Sequence, residues 1–379
     1  MSAKAGSAMG KDGPKDASTL RAIPATPAIN WLLRDSASAA TPGTLLGELC
    51  NRLVLEGLSI SAALLTVESL DPMVSRTRIR WQREGGRVLQ EVLLHGMVLV
   101  ARPTNAESMR FTFPGTGHEI EWHTEETGGF GTAERAYLDT VCVTMAAPLQ
   151  VVVGRGVTRS LLQAYLGRRS ADKVLSGSVR RGTGEVIEAV VWISDLRDFT
   201  VLSEALPSDQ IITALNDCCA RLVGAIQPFG GEVLKFIGDG LLAIFPLAAR
   251  GQRVACDAAI AAVRAAREGM ARLDAERLPI GLPPLPFGVG LHLGAVVYGN
   301  IGSPDRLDFT AIGPAVNVAS RIEGLCRPLA CPVLISDDVA AGCSTRLAAL
   351  GYHALRGTAQ SVALFTLPEL IPHRELNDR

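Results

Sequence analysis

The chain has 379 residues, with 37 Lys plus Arg against 38 Asp plus Glu and a formal net charge of -1. Hydrophobic residues make up 47% and the mean hydropathy is +0.23, enough for two domains with cores and too much for general disorder. The balanced charge excludes bulk attraction to nucleic acid or to an anionic membrane surface.

In chain order, the opening "MSAKAGSAMGKDGPKD" has no apolar h-region and so reads as no secretory signal. Residues 1–27, rich in Ala, Gly, Ser, Pro and Lys, are expected to be disordered. Residues 28–155 read as a smaller α/β domain. "PGTLLGELCNRLVLEG" has helical leucine spacing, and "SAALLTVES", "TRIRWQRE" and "RVLQEVLLHGMVLVA" lean to strand between Asp-Pro and Gly-Gly turns. An irregular stretch follows, and then "AERAYLDTVCVTMAAPLQVVV" returns to helix. His118 and His123 in "HEIEWH" are five apart, which fits neither one helix face nor one strand face. No third metal ligand accompanies them, so they are expected in a loop. The element order is similar to GAF or PAS sensory modules, with no motif that names a ligand.

No uncharged apolar run reaches the roughly 18 residues of a spanning helix; "VCVTMAAPLQVVVG" is too short and carries Pro148 and Gln150. The eight cysteines form no CxxC pair, which reads as reduced, mostly buried thiols in a cytoplasmic chain. Residues 156–185 read as a helical connector. Its "RR" pairs, taken alone, are expected to be solvated linker charge, with dimer-forming signal transmission as the functional alternative.

From residue 186 the pattern changes, and 186–368 reads as a second domain before a tail, 369–379. "VIEAVVWISD" is a continuous apolar strand. "PSDQIITALNDCCARLVGAIQ" is a helix with Ser208 as its cap and Ile211, Ile212, Leu215, Cys219, Leu222, Val223 and Ile226 as its apolar stripe. The hairpin "VLKFIGDGLLAIF", an alanine-rich helix, a proline-rich loop, the strands "FGVGLHLGAVVYGNI" and "RLDFTAIG", the helix "AVNVASRIEGLC" and the strands "PVLIS" and "SVALFTL" follow. The order β-α-β-β-α-β is that of a ferredoxin-like unit. In such a sheet the first and third strands are antiparallel neighbours. Asp195, closing strand one, and Asp239, at the turn before strand three, are therefore expected side by side. Two adjacent carboxylates repel unless a cation lies between them, and oxygen-only ligands without histidine favour Mg²⁺ or Mn²⁺ shared with substrate phosphates. Lys235 and Asp239, four apart on a strand, would share a face about 13 Å apart, too far for an ion pair. Asn317 and Arg321 share one helix face, where Arg suits phosphate oxygens and Asn can orient a hydroxyl. A surface ion pair of Arg321 with Glu323 or Asp308 is the alternative.

Together "VWISDLRDFTVLSE", "GGEVLKFIGDGLLAIF", "GLHLGAVVYGNIGSPDRLDFTAIGPAVNVASRIE" and "LRGTAQSVALFTL" resemble the class III adenylate and guanylate cyclase catalytic domain, over about half the chain. The resemblance implies that Asp195, Asp239 and the main-chain carbonyl of Leu196 hold two divalent cations per site. It implies that Lys235 and Thr310 select the purine, and that Asn317 and Arg321 position the ribose and stabilise the transition state. It also implies a homodimer whose sites take the aspartates from one protomer and the remaining residues from the other. One cation would activate the ribose 3′-hydroxyl and the other would hold pyrophosphate. Adenine's N1 acceptor and 6-amino donor suit Lys235 and Thr310, whereas guanine's N1–H needs an acceptor that lysine cannot be. The implied function is an adenylate cyclase in signal transduction, with ATP as substrate and an unidentified ligand for the amino-terminal domain. The "WLL" to "LDP" stretch also resembles the leading region of some bacterial cyclases. Alternatives are a guanylate cyclase and a catalytically silent nucleotide-binding regulatory module. A diguanylate cyclase is disfavoured because "GGEVL" lacks that family's second acid and Phe. Asp198 stands where the family commonly has glycine, which leaves metal preference and basal rate open.

Overall fold

Thr26 and Thr41, each followed directly by a proline, start the first two helices with their hydroxyls on backbone amides of the first turn. The computed structural model describes residues 25–69, 71–97, 107–178, 180–247, 251–356 and 361–371. The disorder expected of the amino terminus, and most of the carboxy-terminal tail, thus lie outside the described residues. The chain divides into two compact units, with the boundary at Thr158 and Arg159.

The first unit contains α1 (Pro27–Arg34), α2 (Pro42–Leu55), β1 (Ala62–Glu68), β2 (Val74–Gln82), β3 (Arg87–Leu94), β4 (Glu107–Thr112), β5 (Glu119–Thr124) and most of α3 (Thr132–Leu166). Pro27 therefore begins a helix inside the stretch expected to be disordered, because the Thr26 cap and the proline together nucleate it. The sheet is antiparallel, in the order β3-β2-β1-β5-β4. Alternation puts Ala63, Leu65, Ile79, Trp81, Ile120 and Trp122 on one face, buried against Leu45 and Leu49 of α2 and Leu138 and Met145 of α3. Arg78, Arg80, Gln82, Glu121 and His123 fall on the other face by register.

Two sequence expectations fail in this unit. The irregular stretch holds β4 and β5, and His123 lies on a strand rather than in a loop. "EIEWHT" alternates as a strand with one face on the core does, Ile120 and Trp122 pointing inward, a signal the loop expectation passed over. His118 precedes β5, and its Nδ1 accepts the Glu68 amide at 3.2 Å, so the two histidines have separate environments. Helix α3, with Pro148 inside it, is long and apolar enough to cross a membrane by length and composition, which counting uncharged runs missed. Its buried residues Leu138, Val141, Cys142, Met145 and Leu149 belong to the core of this unit.

The second unit continues from α3 with α4 (Arg168–Leu175), β6 (Gly184–Leu196), α5 (Phe199–Ala205), α6 (Ser208–Ile226), β7 (Glu232–Ile237), β8 (Gly240–Pro246) and α7 (Gln252–Arg277). It ends with β9 (Phe287–Gly302), β10 (Leu307–Ile312), α8 (Pro314–Gly324), β11 (Val333–Ser336), α9 (Asp337–Gly342), β12 (Ala348–Ala354) and β13 (Ser361–Thr366). The sheet runs β12-β13-β11-β9-β6-β8-β7, with β10 on β9. This is the expected β-α-β-β-α-β mixed α/β unit, with β12 as a strand that the sequence did not announce. Val190, Trp192, Ala243 and Phe245 pack under α6 and α7, while Ala189, Val191, Leu242 and Ile244 pack with Ala315 and Ala319 of α8. Burial on both faces explains the unbroken apolar run of β6.

Packing reassigns α6 and α4. Ser208 is the first helical residue and Pro207 the cap, without a side-chain hydrogen bond. The inward stripe of α6 is Ala214, Cys218, Leu222, Ala225 and Ile226, with Ile212 60% exposed; small residues face in because α7 is alanine-rich and lies close. Arg169 is no free linker charge. It pairs with Glu185 at 3.2 Å and Glu232 at 3.1 Å and stacks over Tyr298, whose hydroxyl meets buried Ser170 at 2.8 Å. All eight cysteines are free, six of them buried.

Candidate active site

The geometry begins at Gly240. Strands β6 and β8 pair antiparallel with Ser194 opposite Leu241, which brings the end of β6 to the turn between β7 and β8. A Cβ on Gly240 would stand 2.3 Å from the Ser194 carbonyl oxygen and 2.7 Å from Asp195 Oδ1, so only glycine lets this turn close on Asp195. Gly238, with φ +61°, supplies the left-handed residue of the turn. Asp195 and Asp239 are thereby brought together, and Leu196, whose main-chain carbonyl is the third sequence-derived ligand, closes β6 directly after Asp195.

The pair carries an electrostatic signature. Burial, then the charge of Asp239, then that of Glu323 push the Asp195 carboxyl up to about 6. Such a pair fits a divalent cation, which would offset the repulsion. Among the described residues no group of three or more His, Cys, Asp or Glu converges as a metal site. A cation here would therefore complete its shell from backbone, water and substrate oxygens, as Mg²⁺ does.

Arg197 and Glu323, which sequence reasoning missed, form an ion pair of 2.6 Å behind the aspartates. Its signal was the glycine spacing "FGVGLHLG" on β9. Gly288 leaves room for the Arg197 guanidinium and the Glu323 carboxylate, and Gly290 lets the α8 backbone at Ala319 and Glu323 approach β9. Helix α8 is seated by those glycines, and it presents Asn317, exposed, and Arg321, half-buried, one turn apart. Among the described residues Arg321 has no ion-pair or hydrogen-bond partner. Glu323 is taken by Arg197 and Asp308 by Lys235, which removes the surface-pair alternative.

Lys235 Nζ donates to Asp308 Oδ2 at 2.8 Å. The expectation that Lys235 and Asp239 share a strand face does not apply, since β7 ends at Ile237 and the chain turns through Gly238 and Asp239. Thr310, two residues along β10 from Asp308 and hence on the same face, is 4% exposed, and its Oγ1 lacks a partner among the described residues. Asp308 was missed as a member of this group, and its carboxylate qualifies the base argument made from lysine alone, because a carboxylate can accept from guanine N1–H. No hydrogen bond or ion pair among the described residues links Lys235, Thr310, Asn317 or Arg321 to Asp195 or Asp239.

Asp198 adopts φ 55° and ψ 28° at the start of α5 and pairs with Arg327 at 3.1 Å. The left-handed backbone gives the physical reason a glycine suits this position.

Residues 185–362 match the adenylate and guanylate cyclase catalytic domain. An adenylate cyclase of Anabaena cylindrica is 36% identical over 166 residues, covering 43% of this chain and 32% of that protein. Adenylate cyclase 1 of Rhizobium meliloti strain 1021 is 28% identical over 183 residues, covering 47% of this chain and 27% of that protein. The match thus spans about a third of the length of these relatives. A bacterial light-regulated adenylyl cyclase of known structure shares the fold, with TM-score 0.51 and 22% identity over 68% of this chain and 85% of that one. Residues 185–362 thus form an adenylate and guanylate cyclase catalytic domain.

Proposed function

We propose that the chain is an adenylate cyclase, converting ATP to 3′,5′-cyclic AMP and pyrophosphate as a homodimer, with the amino-terminal unit as its regulatory domain. The observation that carries this reading is the juxtaposition of Asp195 and Asp239, with the Asp195 carboxyl raised by burial and by its neighbour. Asp195, Asp239 and the Leu196 carbonyl would hold Mg²⁺ or Mn²⁺, which when bound supplies the Lewis acidity that activates the ribose 3′-hydroxyl and neutralises pyrophosphate. Arg321, unpaired among the described residues, is free to donate its planar fork to phosphoryl oxygens as charge develops on them. Asn317, one turn earlier, orients the ribose. The Lys235 ammonium donates to adenine N1, and the unpartnered Thr310 hydroxyl accepts from the 6-amino group. The adenylate cyclases among the relatives favour ATP over GTP. That no hydrogen bond or ion pair among the described residues joins the aspartates to the other four side chains supports sites shared between two protomers.

The test is a product assay on the full chain, with ATP and GTP supplied separately with Mg²⁺ or Mn²⁺ and products identified by mass spectrometry. Cyclic AMP from ATP, lost in Asp239→Ala, is the expected result. Cyclic GMP alone would reassign the base, and nucleotide binding without pyrophosphate release would make the domain a silent regulatory module.

A further inference from the structure

His123 is only 5% exposed, yet its Nδ1 has no hydrogen-bond partner among the described residues. Its Nε2 lies 3.9 Å from Glu121 Oε2, beyond hydrogen-bond length, and Glu121 is already engaged by Arg110. Burial holds the imidazole below its ordinary pKa, so the ring is neutral and has an unused polar atom. On the same sheet face, the half-buried Arg80 has no ion-pair or hydrogen-bond partner among the described residues, and the buried Nε of Arg78 is likewise unpaired. Native interiors rarely leave such groups unsatisfied, and the two buried nitrogens, His123 Nδ1 and Arg78 Nε, lie on the face that Arg80 shares.

The register supplies the shape. Ala62 of β1 lies opposite Gln82 on one side and His123 on the other, so a methyl group forms the floor between two longer polar side chains. Arg80 sits one step along the same face, opposite Leu64. The result is a cleft of about 500 Å³, lined by Ser61, Arg80, Gln82 and His123 and by the charged Arg83, Glu84 and Glu125. It lies wholly within the first unit and includes none of the cyclase residues.

We propose that this cleft is a binding site for a small carboxylate-bearing molecule of low net charge, such as an amino-acid zwitterion. The planar donors of Arg80 match a carboxylate, and His123 borders the same cleft. Arg80 and Arg83 balance Glu84 and Glu125 on the lining, so the cleft favours a ligand that carries both an ammonium and a carboxylate over a polyanion. Gln82 and Ser61 offer neutral hydrogen bonds that fix orientation.

The test is calorimetric titration of the full chain with glycine, L-alanine, L-glutamine, acetate, inorganic phosphate and citrate, each as a separate probe. The expected result is saturable binding of acetate or at least one zwitterion. Arg80→Gln should weaken it at least tenfold, and Arg80→Lys, which keeps the charge and loses the fork, should weaken it less. Arg76→Gln, on β2 and outside the cleft, should bind as the parent does. Circular dichroism and melting of the ligand-free variants establish that the fold is kept. Binding confined to phosphate and citrate, binding unchanged in Arg80→Gln, or no saturable binding of any probe would each overturn the proposal. None of these readouts depends on cyclase turnover.

Discussion

Asp195 behaves as half of a carboxylate pair, and this has a signed consequence for stability. Its folded-state carboxyl is raised to about 6 from 3.8, so between those values the folded state holds more protons than the unfolded state. Without divalent metal the chain is therefore expected to gain stability as pH falls from about 6 towards 4, the reverse of an ion-paired aspartate. Thermal melts in chelator should show that slope, and Asp239→Asn should flatten it. Asp198 gives a second prediction. Its left-handed backbone costs an L-residue about 1 kcal/mol, and its exposed bridge to Arg327 returns little. Asp198→Gly is expected to raise the melting temperature by about 2–4 °C, and a lower melting temperature would show that the Arg327 bridge outweighs the strain. On the proposed function Asp308 would serve substrate handling rather than stability, since its bond to Lys235 is largely exposed. Asp308→Asn should leave the melt nearly unchanged and raise KM for ATP about threefold to tenfold, the loss of about 1 kcal/mol of lysine positioning.

The glycines of β9 show how an element, rather than a residue, places the chemistry. Gly290 carries no charge and touches no substrate, yet a Cβ there would lie 2.6 Å from Ala319 O and Glu323 N. Gly290→Val should displace α8 and with it Asn317 and Arg321. The expected cost is about 1–3 kcal/mol of stability, with a fall in kcat/KM larger than Asp308→Asn produces, measured by chemical denaturation beside turnover. Elements buried on both faces, such as β6 and β8, were legible in the sequence because their apolar runs are unbroken. The β7 turn was legible through its Gly-Asp-Gly signal. Strands with one open face or an edge position, β4, β5 and β12, carry polar residues or a glycine and left no such trace. The inward face of α6 was misread because alanine and cysteine pack there in place of larger residues. The adjacency of Asp195 and Asp239 followed from topology. The partners Lys235–Asp308 and Arg197–Glu323 join residues 73 and 126 positions apart, and no local pattern encodes which charge meets which.

At the scale of the whole molecule, the distribution of groups matters more than any one contact. One chain holds the aspartate pair on β6 and the β7 turn, and the remaining groups on β7, β10 and α8, without a bond between the two sets among the described residues. If the homodimer shares them, each of its two sites draws one set from each protomer. Asp239→Ala and Arg321→Ala chains would then be separately inactive for different reasons. In a mixed dimer both lesions fall in the same site, leaving the other intact. Random reassortment makes about half of the dimers mixed, each with one working site of two, so mixing should restore about a quarter of parental activity. Refolding the two variants together and measuring cyclic AMP against each alone checks this. No recovery above the separate variants would mean that each site is built within a single chain, and the two sets would then have to meet through a movement of α8 and β7 towards the aspartates.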